Sequence, residues 1–138
     1  VFIHWGVEYQ HSPSAEQTEL AHAFADAGAY AIIGMHPHVV ETFEIYKQVP
    51  IFYSLGNAIF DQYFSPDTQE GLSTTLRISP EQLEVYLVPL RIDKSRFRLM
   101  LGEDKTNFLQ KLTGWGSYDQ EIKNQIEKGK IVIKFNNI

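Results

Sequence analysis

Two histidines separated by one residue are the first feature of this sequence that could support chemistry. Residues 34–38 (GMHPH) follow the short apolar run 29–33 (AYAII), which predicts a buried strand. In an extended backbone, side chains at i and i+2 point to the same face, and Pro37 disfavours helix around His36. We therefore expect His36 and His38 to direct both imidazoles at one point, where they could bind a divalent metal ion.

A third imidazole follows another predicted strand. Residues 1–3 (VFI) form an apolar run that ends at His4. Open α/β sheets place their sites at the carboxyl ends of strands, so His4 is a candidate partner of the histidine pair. The alternative for His4 is a core histidine bonded to a backbone carbonyl. The alternative for His36 and His38 is a surface loop, because two histidines do not fill a metal site.

Composition restricts the class of protein. The chain has 138 residues, is 43% hydrophobic, carries a net charge of −5 and contains no cysteine. This indicates one folded domain, excludes disulfides and thiolate metal sites, and argues against nucleic-acid binding. No apolar run approaches the ~20 residues of a membrane span, so we expect a soluble chain. Because it opens inside a predicted strand, we also expect it to be part of a longer protein that holds more of the site and any anchor.

A helix is predicted between the first two strands. Ser14 and Gln17 have the spacing of a capping box, which predicts a helix over residues 15–27. Strand, helix and strand with short links make a βαβ unit with parallel strands. The residues expected to face the core are Leu20, Ala23, Phe24 and Ala27.

Beyond the βαβ unit the sequence predicts an antiparallel hairpin and a helical tail. Alternating apolar residues over 71–79 and 83–92 indicate the hairpin, and Phe108, Leu109 and Leu112 are expected to be buried by a tail helix. The other predicted elements are an extended segment at 39–46, a turn at 47–50, strands at 51–55, 97–101 and 131–135, helices at 103–112 and 119–128, and a break at 113–117.

Four stretches of this chain resemble one protein family. They are His4-Trp5-Gly6 with Glu8-Tyr9; residues 26–29 (DAGA) running into Ile33-Gly34; residues 34–39 (GMHPHV); and residues 53–57 (YSLGN) with Phe60-Asp61. Their order and spacing resemble the carboxyl-terminal half of the CapA/PgsA domain, found in capsule and poly-γ-glutamate synthesis proteins related to calcineurin-like metallophosphoesterases. The resemblance covers roughly residues 1–92 and is loose from Asp93 onward.

The resemblance implies a metal site. By motif, His4 and His36 would bind one metal and His38 another, with Mn, Fe or Zn forming a dinuclear centre in the full-length parent. Further ligands belong to the family's amino-terminal half, which this sequence lacks, so we expect weak metal affinity and no efficient catalysis from this chain alone. Phosphoester hydrolysis is implied only if that half is supplied, and no catalytic residue is assigned.

Glu8, Asn57 and Asp61 are candidates for supporting the ligands or shaping loops, and the alternative for Asn57 and Asp61 is local side-chain-to-backbone bonding.

Two functions follow from this resemblance. The first is a protein of capsule or poly-γ-glutamate biosynthesis with a metallophosphoesterase-like metal site. The alternative is a non-catalytic polymer-binding or export-complex component whose histidines are structural, and a plain binding domain is the third reading. For an anionic polymer the candidate contacts are Arg91, Lys94, Arg96 and Arg98, which could equally be a solvated surface strand.

The expected fold class is α/β, a partial calcineurin-like metallophosphoesterase fold with a small helical tail. We expect residues 1–92 to form the carboxyl-terminal part of a CapA-like domain, with residues 93–138 as an extension packed on it. By resemblance the parent protein is extracytoplasmic or membrane-associated and works with a synthesis or export complex. An exposed amino-terminal strand would also invite self-association.

Overall fold

Two β-sheets, three α-helices and a short 3₁₀ helix (Asp67–Gln69) are the regular elements within residues 1–135, the part of the chain that the computed structural model describes. The last three residues of the predicted 93–138 extension lie outside it. The mixed α/β class is confirmed. None of the helices within residues 1–135 is long and apolar enough to cross a bilayer.

The elements are β1 (Phe2–His4), α1 (Ala15–Asp26), β2 (Ile32–Met35), β3 (Phe43–Tyr46), β4 (Val49–Phe52), β5 (Glu70–Ile78), β6 (Gln82–Asp93), β7 (Arg96–Leu99), α2 (Gly102–Trp115), α3 (Gln120–Glu127) and β8 (Lys130–Lys134).

The first sheet contains the predicted βαβ unit. Its strand order is β1-β2-β4-β3, and β1 runs parallel to β2 with His4 opposite Met35. Strand β2 is in turn parallel to β4. Helix α1 begins as predicted, because the Ser14 backbone N–H donates to Gln17 Oε1 at 2.9 Å and the Gln17 backbone N–H donates to Ser14 Oγ at 3.2 Å. Three parallel strands therefore end at one edge of this sheet.

The face that α1 buries differs from the predicted one. Leu20 is 40% exposed, and Ala23 and Ala27 are also exposed, so those expectations were wrong. Gln17 and Ala21 are buried instead, with Phe24 half-buried. The reason is that Gln17 points inward to a buried carboxylate, and a pattern built only from apolar residues misses a polar residue on the buried face.

Two predicted breaks are shorter than expected. The turn at residues 47–50 is confined to Lys47 and Gln48, which adopt φ of 47° and 70°, and β4 begins at Val49. Helix α2 continues to Trp115 through the predicted break at 113–117. Trp115 packs on His11 with ring centroids 4.1 Å apart, and this tertiary contact outweighs the poor helix propensity of Gly114.

The second sheet carries the predicted hairpin. Strands β5 and β6 pair antiparallel over their length, and β7 and β8 pair with opposite ends of β6. Phe108, Leu109 and Leu112 of α2 are buried, as predicted. They join a core cluster with Phe52 of the first sheet and Val85 of the second, so both sheets and the tail helices share one apolar interior.

One side chain connects the ends of the three parallel strands. Trp5, just after β1, donates from Nε1 to the Tyr53 carbonyl beyond β4 at 2.8 Å, and to do so it crosses β2 at Gly34. A Cβ on Gly34 would lie 1.9 Å from the Tyr53 oxygen and 2.4 Å from Trp5 Nε1. The absence of a side chain at this position is what lets the indole cross, and the crossing fixes the loops that follow β1 and β2.

Candidate metal centre

Glu8, His36 and His38 come together at the carboxyl edge of the first sheet. Glu8 lies in the loop after β1, and the two histidines lie in the loop after β2. Each residue offers one potential ligand atom, and these atoms lie within 4.8 Å of one another. His38 Nε2 is 3.8 Å from Glu8 Oε1. One carboxylate and two imidazoles form a donor set that suits a divalent transition metal, so the residues present fit such an ion.

The placement of His4 differs from that of the other two histidines. It is the last residue of β1, and its ring centroid lies 4.6 Å from that of His36, at an interplanar angle of 53°. His4 is not part of the group of ligand atoms found among the described residues, whereas Glu8 is. The structure therefore brings His36 and His38 together as expected. It adds the Glu8 carboxylate, which the sequence analysis expected only to support the ligands or to shape a loop.

The backbone around this group is unusual. Tyr9, His36 and His38 adopt φ of 64°, 112° and 62°, a region that residues other than glycine rarely occupy. The expectation of an extended backbone at His36 and His38 was therefore wrong. The two loops are joined by a bond from the Tyr9 backbone N–H to the Pro37 carbonyl at 2.8 Å. Such strained residues cluster at functional sites, where surrounding contacts must hold them in place.

Asn57 fixes the proton position on His38. Its Nδ2 donates to the backbone carbonyl of Thr68 at 3.0 Å, and a carbonyl can only accept. Asn57 Oδ1 therefore faces His38 Nδ1, at 3.0 Å, and His38 must donate from that nitrogen. The Nε2 lone pair of His38 is left free for a metal, which is the arrangement that supporting residues impose in metal sites.

The other predicted residues lie around this group. Asp61 is exposed in the loop that follows Asn57, outside the group of ligand atoms. Arg91 pairs with Glu70 at 3.2 Å and Arg98 with Asp104 at 3.6 Å. Of the remaining two candidates for a polymer contact, Lys94 is exposed in the turn between β6 and β7, and Arg96 is exposed at the first residue of β7.

The turn between β6 and β7 lies beside the loop that follows Asn57. Tyr63 and Ser95 hydroxyls are 2.9 Å apart, which brings the tip of the β6–β7 hairpin against the loop that carries Phe60. The Phe60 ring in turn lies 4.9 Å from that of His38. The hairpin tip and the His38 ring therefore contact the same loop, at Tyr63 and at Phe60.

A buried carboxyl group lies close to this site in sequence. Glu41 is 2% exposed, its Oε2 accepts a bond from Gln17 Nε2 at 3.0 Å, and its Oε1 has no partner within the described residues. Burial raises the pKa of Glu41 to about 7, while the bond from Gln17 opposes that rise. Gln17 also packs on Gly6, where a Cβ would lie 2.7 Å from its Nε2. Through Gln17, Glu41 links the loop after β1 to the segment after His38.

Sequence reasoning did not single out Tyr9, Gln62 or Glu41 for this site. The Gln62 side chain joins Asn57 to Tyr9, with bonds of 3.2 Å on each side. The sequence could not indicate this contact, because no spacing rule relates residue 62 to residue 9. Tyr9 was part of a family motif, but no contact was assigned to it. The signal for Glu41 would have been an acidic residue with apolar neighbours on both sides, Val39 and Val40 before it and Phe43 after it.

Known proteins are similar to the part of the chain that contains these residues. The family described as "Bacterial capsule synthesis protein PGA_cap" matches residues 1–62, which include the strands and loops that carry Glu8, His36 and His38. "Capsule biosynthesis protein CapA" of Bacillus anthracis is 33% identical over 146 aligned residues, covering 97% of this chain and 34% of that relative. "PGA biosynthesis protein CapA" of Bacillus subtilis (strain 168) is 56% identical over 59 residues, covering 43% of this chain and 16% of the relative.

The chain thus spans about a third or less of the length of these curated relatives. The similarity extends through nearly the whole chain for the first relative and through less than half of it for the second. The matched motifs, the family profile and the named relatives agree, and the chain belongs to the CapA/PgsA family of capsule synthesis proteins.

Proposed function

We propose that Glu8, His36 and His38 bind a divalent metal of the Mn, Fe or Zn class in a metallophosphoesterase-like site of a capsule or poly-γ-glutamate biosynthesis protein. The observation that carries this proposal is the convergence of three ligand atoms within 4.8 Å on loops with positive φ. A metal held by these residues would polarise a phosphoryl group and lower the pKa of a coordinated water. His38 contributes a fixed Nε2 lone pair, and Glu8 contributes the negative charge.

A calcineurin-like fold for the longer protein is part of this proposal. It is supported by the parallel arrangement of β1, β2 and β4, whose carboxyl ends carry the candidate ligands, and by the second sheet that shares their core. A second metal would need ligands from outside this chain, and His4, beside His36, is the residue placed to join them. Phosphoester hydrolysis would then be an activity of the longer protein.

Calorimetric titration of Mn²⁺ and Zn²⁺ tests the metal site directly. The wild-type chain is compared with a His36→Ala/His38→Ala double variant and with His22→Ala, a matched control whose imidazole bonds to Glu44 on another part of the sheet. We expect wild type and His22→Ala to bind metal alike and the double variant to lose binding. Equal behaviour of all three proteins would refute the site.

A second candidate function is supported by a separate observation. Lys94 and Arg96 are exposed at a hairpin tip that contacts the loop beside His38 through Tyr63. We propose that, if the histidines prove structural, this surface binds an anionic polymer without turnover. Binding of poly-γ-glutamate to metal-free protein, weakened by Lys94→Gln/Arg96→Gln, would favour this function, whereas no binding would exclude it.

Two further expectations stay proposals. The names of the relatives refer to capsule biosynthesis, which supports an extracytoplasmic or membrane-associated location and a synthesis or export complex as partner. Strand β1 lies at the edge of its sheet with Phe2 79% exposed, which supports self-association through that strand. Light scattering of wild type and Phe2→Lys tests the latter: a dimer that the substitution dissociates would support it, and a monomeric wild type would not.

A further inference from the structure

Tyr9 completes a ring of contacts around His38. Its aromatic ring stacks on the His38 ring, with centroids 6.2 Å apart and an interplanar angle of 27°. Its hydroxyl oxygen accepts a bond from Gln62 Nε2 at 3.2 Å, and its backbone N–H holds the Pro37 carbonyl. Three contacts therefore fix a strained residue immediately after Glu8 in the chain, beside the candidate ligands.

The direction of every bond in this ring follows from one backbone carbonyl. The Thr68 oxygen can only accept, so Asn57 Nδ2 donates to it and also donates to Gln62 Oε1. The amide of Gln62 is thereby oriented with Nε2 toward Tyr9, and the Tyr9 oxygen accepts. The proton of the Tyr9 hydroxyl is not used in this ring and remains available for donation.

An accepted hydrogen bond makes a hydroxyl a better donor, because bonds in a chain polarise one another. The Tyr9 side chain is 41% exposed, so a ligand can reach it. Fixed hydroxyl donors are used by enzymes to stabilise oxyanions. We propose that the Tyr9 hydroxyl donates a hydrogen bond to an oxygen of a tetrahedral oxyanion held at the Glu8, His36 and His38 group. This inference rests on the proposed metal site.

Inorganic phosphate titrated into Mn²⁺-loaded protein is the test, with Mn²⁺ affinity measured separately. Tyr9→Phe keeps the ring and the backbone N–H but removes the donor. We expect phosphate affinity to fall about tenfold, the order expected for one hydrogen bond to a charged group, with Mn²⁺ affinity unchanged. Tyr63→Phe is the matched control, because its hydroxyl contacts Ser95 on the neighbouring hairpin, and it should bind phosphate like wild type.

The outcomes separate this inference from the proposal beneath it. If wild type binds no Mn²⁺, the metal site fails and the role of Tyr9 fails with it. If Mn²⁺ binds but phosphate binds equally to wild type and Tyr9→Phe, or to neither, the metal site stands and the Tyr9 inference is overturned. If Tyr9→Phe also weakens Mn²⁺ binding to the same extent, Tyr9 is a structural residue and not a donor.

Discussion

The amide oxygen of Asn57 lies 3.0 Å from Nδ1 of His38, and the amide nitrogen of the same side chain is bonded to the Thr68 carbonyl. This pair decides which nitrogen of His38 carries the proton. It places a buried residue, 6% exposed, in control of a half-buried imidazole. The tautomer of His38 therefore depends on a residue that lies 19 positions later in the chain.

Replacing Asn57 with leucine should weaken metal binding without removing a ligand. The variant leaves His38 free to adopt either tautomer and to rotate, and loss of such a supporting bond costs about 10- to 100-fold in metal affinity. Calorimetric titration with Zn²⁺ measures the change. Asp61→Asn, in the same loop but exposed, is the control and should match wild type. Wild-type affinity in Asn57→Leu would show that the bond has no bearing on the ligand.

The effects of Glu8 and His4 substitutions on metal affinity distinguish the group of ligand atoms in the structure from the ligand pair that the family motif implies. Glu8 belongs to the group of ligand atoms and His4 does not, so Glu8→Gln should lower metal affinity about tenfold or more. His4→Gln should have a smaller effect in this chain. Competition with a metal-sensitive dye measures both. The opposite ranking would favour the pairing of His4 with His36 that the family motif implies.

Glu41→Gln should remove most of the pH dependence of stability between pH 4.5 and 7. The pKa of Glu41 is raised from 4.5 to about 7 in the folded chain, so the unfolded chain binds fewer protons over this window. Stability is then fully present below the unfolded pKa and falls as pH rises toward 7, by about 3 kcal/mol at most.

The comparison for Glu41 is urea unfolding of metal-free protein at pH 5 and pH 8. The glutamine side chain keeps an acceptor for the Gln17 amide and carries no charge, so the variant should exceed wild type in stability at pH 8 and equal it at pH 5. Parallel pH profiles for the two proteins would mean that Glu41 does not keep its proton in the fold.

Gly34→Ala should be strongly destabilising. The new methyl group would overlap the Tyr53 carbonyl and the Trp5 indole, and overpacking of this kind costs about 1–3 kcal/mol or more. The measurement is the free energy of unfolding by denaturant. Gly114→Ala is the matched control: it lies in the last turn of α2 with open space around it, so the same substitution should stabilise the fold by at most about 1 kcal/mol. A tolerated Gly34→Ala would mean that the Trp5 crossing can move aside.

Local rules predicted much of the fold. The capping box at Ser14 and Gln17, the parallel βαβ unit and the β5–β6 hairpin depend on spacing and alternation, which are visible in the sequence. The buried face of α1 was missed because Gln17, a polar residue, lies on it. The extent of α2 was missed because Trp115 gains a partner, His11, about a hundred positions away.

The candidate site was predictable in location and less so in composition. His36 and His38 could be found because two imidazoles follow a predicted strand. Their positive φ values could not, since these depend on how the loop is held by Tyr9 and Asn57. The inclusion of Glu8 in the group of ligand atoms likewise depends on a left-handed turn at Tyr9, for which no spacing rule exists.

The parallel pairing of β1 with β2 also has a consequence for the order of events in folding. Glu8 and His38 belong to loops separated by the whole of α1, and they meet only when the crossover has closed and the strands are in register. An ion that needs both residues has no complete set of ligands in the unfolded chain. The ion would therefore bind only after the crossover has closed. Its binding would shift the equilibrium toward the folded chain, and this shift would increase with the ion concentration.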